Sequence, residues 1–138
     1  MFAVASAGCG TTDVNKALLP YVIEAAAEQR RPLIIELWAT WCEPCKVFEE
    51  RVLTDPRVQE ALRGVLFVRF DIDTARGRDA MRRTRMRGVP AVLGIDHQGF
   101  IRVAKVGTEP TADEFLVFMK QAHQVLDVPP PPGAGVAR

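Results

Sequence analysis

The sequence predicts one α/β domain, in which a central mixed β-sheet is flanked by helices on both faces. Residues 33–38 and 65–72 are nearly continuous apolar runs, as expected of strands that are buried on both sides. Segments of helical periodicity surround these runs. Two further apolar runs, 91–95 and 100–106, flank the turn at 96–99 and indicate an antiparallel hairpin. The alternation of helices and strands is typical of the α/β class.

Composition excludes several other classes of protein. The 138 residues are 48% hydrophobic and 25% charged, which is enough to build a single core without disulfide bonds. The net charge of +1 argues against a dedicated nucleic-acid-binding protein. The apolar runs are shorter than a membrane-spanning helix requires, and three cysteines are too few for a disulfide-rich secreted scaffold.

We divide the chain into three segments. Residues 13–127 form the predicted domain. Residues 1–12 contain Cys9, in a context that weakly resembles a lipoprotein cleavage site. This segment is interpreted as a remnant of an export or lipoprotein signal, with a free thiol at Cys9 as the alternative. Residues 128–138 include four consecutive prolines and are predicted to be a disordered tail.

The elements of the first half follow from periodicity and from proline positions. A helix is predicted over 13–31, with Asp13 as its N-cap and a bend or interruption at Pro20. Pro32 ends that helix, and the strand at 33–38 follows. A second helix is predicted over 46–53.

The second half repeats this alternation. A short helix over 57–63 ends at Gly64, and the strand at 65–72 leads to a helix over 76–87. After the hairpin, a terminal amphipathic helix is predicted over 111–126. Thr111 and Glu114 have the spacing of a capping box at its start.

Two cysteines, Cys42 and Cys45, lie between a buried strand and a helix. The C-x-x-C spacing is compatible with half of a zinc site or with a redox pair. A zinc site needs further ligands, and Cys9, His97 and His123 do not have suitable spacing. The helix N-terminus favours a thiolate, because the helix dipole and free N–H groups stabilise an anion. We therefore predict a redox pair and no bound metal.

The geometry of the helix start assigns a role to each cysteine. Pro44 fits within the first helical turn, where its missing N–H costs nothing. The helix points Cys45 back beneath Cys42, close enough to close a disulfide. We expect Cys42 to be the exposed nucleophile and Cys45 the buried resolving thiol.

This order of elements resembles the thioredoxin family. The resemblance covers roughly residues 13–126 and is carried by the residues at 36–46, by Gly88, Val89 and Pro90, and by Gly107. It implies a cis Val89–Pro90 bond, with Pro90 beside the cysteine pair and available to an extended substrate segment. A strand-starting trans proline is the alternative. Trp41 is expected to shield the pair and to offer an apolar docking surface.

Within that family, the chain is similar to the C-terminal periplasmic domain of the transmembrane thiol:disulfide interchange reductases. Residues 45–49, 54–58 and 70–74 match local runs of that domain. The domain uses two carboxylates near its cysteines, and Glu36 and Glu49 occupy the matching positions. Glu43 and Pro44 depart from it and resemble the dipeptide of periplasmic reductases that serve cytochrome c maturation. A periplasmic or extracytoplasmic location is implied, with a cytoplasmic one as the alternative.

The positions of Glu36, Glu49 and Glu43 in the sequence also suggest what each carboxylate does. Glu36 stands in an apolar strand, so its burial should raise its pKa and let it accept the Cys45 proton. The alternative is that Glu36 lies at the strand end and reaches water. Glu49, seven residues after Cys42, shares its helix face or lies on a solvated one. Negative Glu43 should oppose the Cys42 thiolate and make the pair more reducing.

Together these features predict a thiol-disulfide oxidoreductase that acts as a reductase. Its only redox group is the Cys42–Cys45 disulfide, with no cofactor. The implied partners are protein dithiol or disulfide substrates and an upstream thiol reductant, of which a membrane-anchored donor is one candidate. The protein is expected to be a monomer that binds no nucleic acid. The alternative is a non-catalytic thioredoxin-like interaction module or copper-handling module, because paired thiolates suit Cu(I).

Arginines are concentrated between residues 76 and 87. The six are Arg76, Arg78, Arg82, Arg83, Arg85 and Arg87. No aromatic residues alternate with them, which weakens a nucleic-acid interpretation. They are expected to form a solvated helix face, or an electrostatic guide for an acidic partner, because the last of them lies just before Pro90.

Overall fold

The computed structural model describes residues 18–107 and 111–126. Its strands are β1 (Leu33–Trp38), β2 (Leu66–Asp71), β3 (Ala91–Ile95) and β4 (Ile101–Val106). Its helices are α1 (Leu19–Gln29), α2 (Glu43–Val47), α3 (Pro56–Leu62), α4 (Ala75–Thr84) and α5 (Ala112–Leu126), and a single π-helical segment (Phe48–Val52) continues α2.

The strands form one mixed sheet in the order β2-β1-β3-β4, which confirms the predicted fold class. β1 runs parallel to β2 and antiparallel to β3, and β3 and β4 form the predicted hairpin. Trp38 pairs with Asp71, and Leu37 pairs with Ala91. The ends of β1 and β2 and the start of β3 therefore meet at one edge of the sheet, which we call the cysteine edge.

Alternation along β1 divides the core into two layers. One layer contains Leu33, Ile35 and Leu37 and is covered by α1 and α4. The opposite layer contains Ile34 and is covered by the π segment and α5. There the Phe48 ring meets that of Phe115 edge-on, at 5.2 Å between centroids. Glu36 shares this second face, because side chains two residues apart in a strand point the same way.

Several predicted boundaries differ from the observed ones. α1 begins at Leu19, so Pro20 lies in its first turn instead of bending it, and the proposed Asp13 cap lies outside the described residues. α2 begins at Glu43, three residues before the predicted start, and gives way to the π segment. α4 ends at Thr84, short of Arg87, because Arg85 takes a left-handed φ of 59°.

Other boundaries agree more closely with the sequence. The capping contact of α5 is confirmed, since the Glu114 N–H donates to Thr111 Oγ1 at 3.1 Å.

Within the described residues, no helix is both long and apolar enough to cross a bilayer. The segments 1–12 and 128–138 lie outside the described residues, so the proposed domain boundaries remain predictions.

Candidate active site

The Cys42–Cys45 pair lies at the cysteine edge, where β1 leads into α2. Cys42 is the N-cap of α2, and its Sγ accepts a hydrogen bond from the Cys45 N–H at 3.2 Å. Pro44 lies in the first turn, as expected. The two residues form a disulfide, with their Cα atoms 5.2 Å apart. The structure therefore represents the oxidised form of the pair.

The expected exposure of Cys42 is wrong for this oxidised form. Cys42 is only 4% exposed and Cys45 only 1%. The disulfide packs in an apolar cluster with Ala39, and Trp38, Ile72 and Val89 cover it from neighbouring segments. The spacing of the cysteines does not predict this cover, because Ile72 and Val89 lie far from the pair along the chain; the family resemblance alone placed the Val89–Pro90 segment there.

The Val89–Pro90 peptide bond is cis, and Val89 packs against the cysteine cluster. Pro90 itself is buried, and its carbonyl accepts a hydrogen bond from the Gly107 N–H at 2.9 Å. Gly107 has a φ of 97°, a conformation that favours glycine. The segments 88–90 and 107, which carry the resemblance to the thioredoxin family, thus meet through this hydrogen bond. Val89 places the first of them against the disulfide.

Trp41 extends from the same edge into solvent. Its side chain is 63% exposed, although the indole Nε1–H donates to Asp73 Oδ2 at 3.0 Å. Asp73 belongs to the loop between β2 and α4. This bond fixes a large apolar surface next to the disulfide, as an apolar docking surface requires.

Glu36 lies in the middle of the sheet, and its side chain is completely buried. The alternative that it reaches water is therefore excluded. Burial raises the pKa of Glu36, as predicted, although the charge and the hydrogen bond of Arg69 oppose this rise. Its Oε2 is buried without a hydrogen-bond partner among the described residues.

Arg69 is the site residue that the sequence analysis missed. It stands opposite Glu36 in the β1–β2 register and donates from Nε to Glu36 Oε1 at 2.6 Å. Its guanidinium carbon lies 4.7 Å from the centroid of the Trp38 ring, a cation–π geometry. An acidic residue and a basic residue at matching offsets within two adjacent apolar strands were the signal that could have found this pair.

Glu49 lies at the outer end of the same group of charges. Its Oε1 is 3.5 Å from Arg69 Nη2, and its side chain is 54% exposed. Glu49 lies within the π segment, the second residue from its start. Arg69 thus connects a buried carboxylate to one that reaches solvent.

Glu43, between the cysteines, faces solvent and is 79% exposed. Its Oε2 lies 3.1 Å from Lys46 Nζ, one turn further along the chain. Because Lys46 compensates the negative charge of Glu43, the effect of Glu43 on the cysteines is weaker than the sequence alone suggests.

The described residues contain no group of three or more His, Cys, Asp or Glu side chains able to hold a metal ion. His97 lies in the hairpin turn, with its Nε2 3.3 Å from the Arg31 carbonyl oxygen. That carbonyl precedes β1, so His97 is at the opposite end of the sheet from the cysteines.

Comparison with known proteins agrees with this geometry. Residues 14–96 match the family described as Thioredoxin-like. The chain is 33% identical over 117 residues to the thiol:disulfide interchange protein DsbD of Pseudomonas fluorescens, and 32% identical over 102 residues to that of Ralstonia nicotianae. These matches cover 83% and 72% of this chain. The chain spans about a fifth of the length of these relatives, 20% and 17%.

Two solved structures show the same fold. The oxidised C-terminal domain of Neisseria meningitidis DsbD has a TM-score of 0.64 and 22% identity, covering 75% of this chain and 92% of that one. A thioredoxin from Thermus thermophilus has a TM-score of 0.67 and 20% identity, covering 88% and 90%.

Proposed function

This chain belongs to the thioredoxin-like family, and on that basis we propose that it is a thiol-disulfide oxidoreductase that reduces protein disulfides. The observation that carries the proposal is the Cys42–Cys45 disulfide, which caps the N-terminus of α2 beside the cis Val89–Pro90 bond. The covering residues Trp38, Ile72 and Val89 exclude water from the sulfurs.

The reaction proceeds by two exchanges. In the reduced protein, the Cys42 thiolate attacks one sulfur of a substrate disulfide, forms a mixed disulfide and releases the first substrate thiolate. The deprotonated Cys45 thiol then attacks Cys42 Sγ and releases the second substrate thiolate. The Cys42–Cys45 disulfide forms, two electrons pass to the substrate, and each released thiolate takes up a proton.

Glu36 accepts the proton that Cys45 must lose, and Arg69 holds the Glu36 carboxylate in position. A carboxylate with a raised pKa is a suitable base near neutral pH, and burial raises the pKa of Glu36. The guanidinium of Arg69, in contact at 2.6 Å, opposes this rise in pKa and favours the ionised form of Glu36. Glu49 occupies the exposed end of this group of charges, where it meets solvent.

Trp41, Val89 and Pro90 receive the substrate. Trp41 offers an exposed apolar surface, and Val89 packs on the disulfide. Pro90 has no N–H and its carbonyl already accepts from Gly107, so an extended substrate segment would pair with the backbone of Val89 just before it. We assign Glu43 and Pro44 to tuning of the redox pair, from their positions between the two cysteines.

The oxidised pair must be reduced again by a dithiol from another protein. The likeness to a thiol:disulfide interchange protein supports a periplasmic location and a membrane-anchored donor for this step. The protein acts as a monomer, with Cys42 and Cys45 from one chain completing the site.

Reduction of insulin by dithiothreitol, followed by turbidity, tests the proposal. We expect the wild-type protein to accelerate precipitation, Cys42→Ser to abolish the acceleration, and Cys9→Ser, a matched control, to preserve it. Turnover that survives the loss of Cys42 would falsify the proposal. A wild-type protein that binds Cu(I) but does not accelerate the precipitation of insulin would favour the copper-handling alternative.

A further inference from the structure

Two arginines, Arg76 and Arg78, lie in the first turn of α4, directly after the loop that leaves the cysteine edge. Gly77 packs so closely on the β2–α4 loop that a Cβ there would overlap the Asp71 carbonyl. Arg76 and Arg78 flank this glycine in the first turn of α4, so the close contact holds their backbones beside the loop. Arg78 Nη1 also donates to the Asp73 carbonyl at 2.7 Å, and the carboxylate of the same Asp73 accepts from Trp41.

A third arginine, Arg87, approaches the same edge from the other side of Pro90. It lies three residues before Pro90, and three residues of extended chain span only about 10 Å. Val89, between them, packs against the cysteine cluster. We call Arg76, Arg78 and Arg87 the arginine rim.

The rim is poorly compensated by acidic side chains. Arg82 and Arg83, further along α4, both pair with Asp79, at 2.7 and 2.8 Å. Arg76 and Arg87 are exposed and have no ion pair with any described residue.

Two acidic side chains lie near the rim, and both are engaged in local bonds. Asp71 Oδ1 accepts from the Asp73 N–H at 3.0 Å, and Asp73 Oδ2 accepts from Trp41. Arg78 contacts the backbone carbonyl of Asp73 and not its carboxylate, so none of the three rim arginines forms an ion pair with a described residue.

The far end of α4 lies away from the cysteines. Arg83 and Thr84 line a shallow groove with Ile95 and Gly99. Ile95 pairs with Leu33, at the opposite end of β1 from the pair. Arg83 therefore lies toward the far end of α4, whereas the rim arginines lie in the segments that adjoin the cysteine edge.

We propose that the arginine rim docks an acidic protein segment that carries the disulfide to be reduced. The inference rests on the proposed function and specifies the class of substrate. Uncompensated guanidinium groups attract carboxylates during encounter, and Arg binds a carboxylate through two parallel hydrogen bonds. The exposed Trp41 ring then contacts the apolar residues beside the substrate cystine.

Three synthetic peptides with the same cystine loop test this inference. One has glutamate-rich flanks, one glycine and serine flanks, and one lysine-rich flanks. The second-order rate at which each oxidises the reduced protein is measured at low and at high salt. At low salt we expect the acidic peptide to react about three- to tenfold faster than the neutral one, and the difference to shrink at high salt.

A pair of matched variants locates the effect. Arg76→Gln combined with Arg87→Gln should reduce the acidic-to-neutral rate ratio to less than about twofold. Arg30→Gln combined with Arg85→Gln should preserve that ratio. This control removes the same net charge from two exposed arginines, and Arg30 and Arg85 also have no ion pair with a described residue.

The possible outcomes separate this inference from the proposed function. Failure to reduce even the neutral peptide contradicts the proposed function itself. Equal rates for all three peptides, or an equal loss of the ratio in both double variants, overturn the docking inference alone. Binding of a nucleic-acid duplex that depends on the rim, without a preference among the peptides, also overturns it.

Discussion

Arg69 donates from Nε to Oε1 of Glu36 across 2.6 Å, between neighbouring strands of the sheet. The carboxylate is completely buried, and the guanidinium is about three-quarters buried. Removing a carboxylate from water costs several kcal/mol, which only a close and well-oriented partner offsets. The pKa of Glu36 therefore depends on Arg69, which lowers it, and on the charge of Glu49, which raises it.

The raised pKa of Glu36 predicts that the free energy of unfolding depends on pH in a specific way. Burial raises its folded-state pKa above the unfolded value of 4.5. Between these two values, the folded protein holds a proton that the unfolded chain has released. The contribution of Glu36 to stability is thus fully present below about 4.5 and is lost as the pH rises through the folded-state pKa.

Urea unfolding of wild type and Glu36→Gln from pH 4 to pH 8 measures this effect. The stability of wild type relative to the variant should fall as the pH rises. Asp55, whose pKa is lowered by hydrogen bonds from Arg57, produces the opposite trend in both proteins and cancels in the difference. A difference that stays constant across this range would contradict a raised pKa for Glu36.

Arg69→Gln should destabilise the protein by about 1–3 kcal/mol, because it leaves the buried Glu36 without its cation. The double variant Glu36→Gln/Arg69→Gln should lose less than the sum of the two single changes. Arg69→Lys, which keeps the charge but not the planar fork, should be intermediate. Urea unfolding at pH 7 measures all four, and strictly additive losses would show that the two residues do not interact.

Glu43→Gln should make the redox pair less reducing. The change removes a negative charge beside Cys42 and frees Lys46, and both effects favour the thiolate form of the reduced protein. The Glu43 side chain is mostly exposed, so solvent weakens the effect, and we expect a rise in reduction potential of about 5–20 mV. Equilibration with a dithiothreitol redox buffer measures it, and an unchanged potential would remove Glu43 from the tuning residues.

Gly77→Ala should destabilise α4 at its contact with the β2–α4 loop. The added methyl group overlaps the backbone of Asp71 and Ile72, which cannot move as a side chain can. A cost of about 1–3 kcal/mol in unfolding free energy is expected. Gly88→Ala is a matched control, since nothing lies within 4 Å of a Cβ there, and equal losses in the two variants would contradict this explanation.

Local patterns predicted the fold well. The apolar strands and the turn at 96–99 specified the sheet and its hairpin, and β3 matches the predicted range. Helix starts and ends were less predictable. The sequence did not distinguish a proline that bends a helix from one in its first turn, as at Pro20, nor anticipate the left-handed Arg85 that ends α4.

Local spacing predicted the candidate site only where the chain itself connects the residues, and the Val89–Pro90 segment was placed beside the pair by the family resemblance instead. Cys42, Pro44 and Cys45 occupy one turn, so the spacing sufficed. Arg69 and the cover of Ile72 and Val89 depend on contacts across the sheet, which a single sequence does not encode locally. The prediction that Cys42 is exposed was wrong for the same reason, since residues distant along the chain cover it.

Single-turnover oxidation of the reduced protein by a cystine peptide tests the central claim most directly. The products are counted by mass spectrometry and thiol titration. We predict that wild type forms the Cys42–Cys45 disulfide and releases two peptide thiols, and that Cys45→Ser stops at a stable mixed disulfide on Cys42. Cys42→Ser should release no thiol. A Cys42→Ser protein that releases two thiols as fast as wild type would contradict the account.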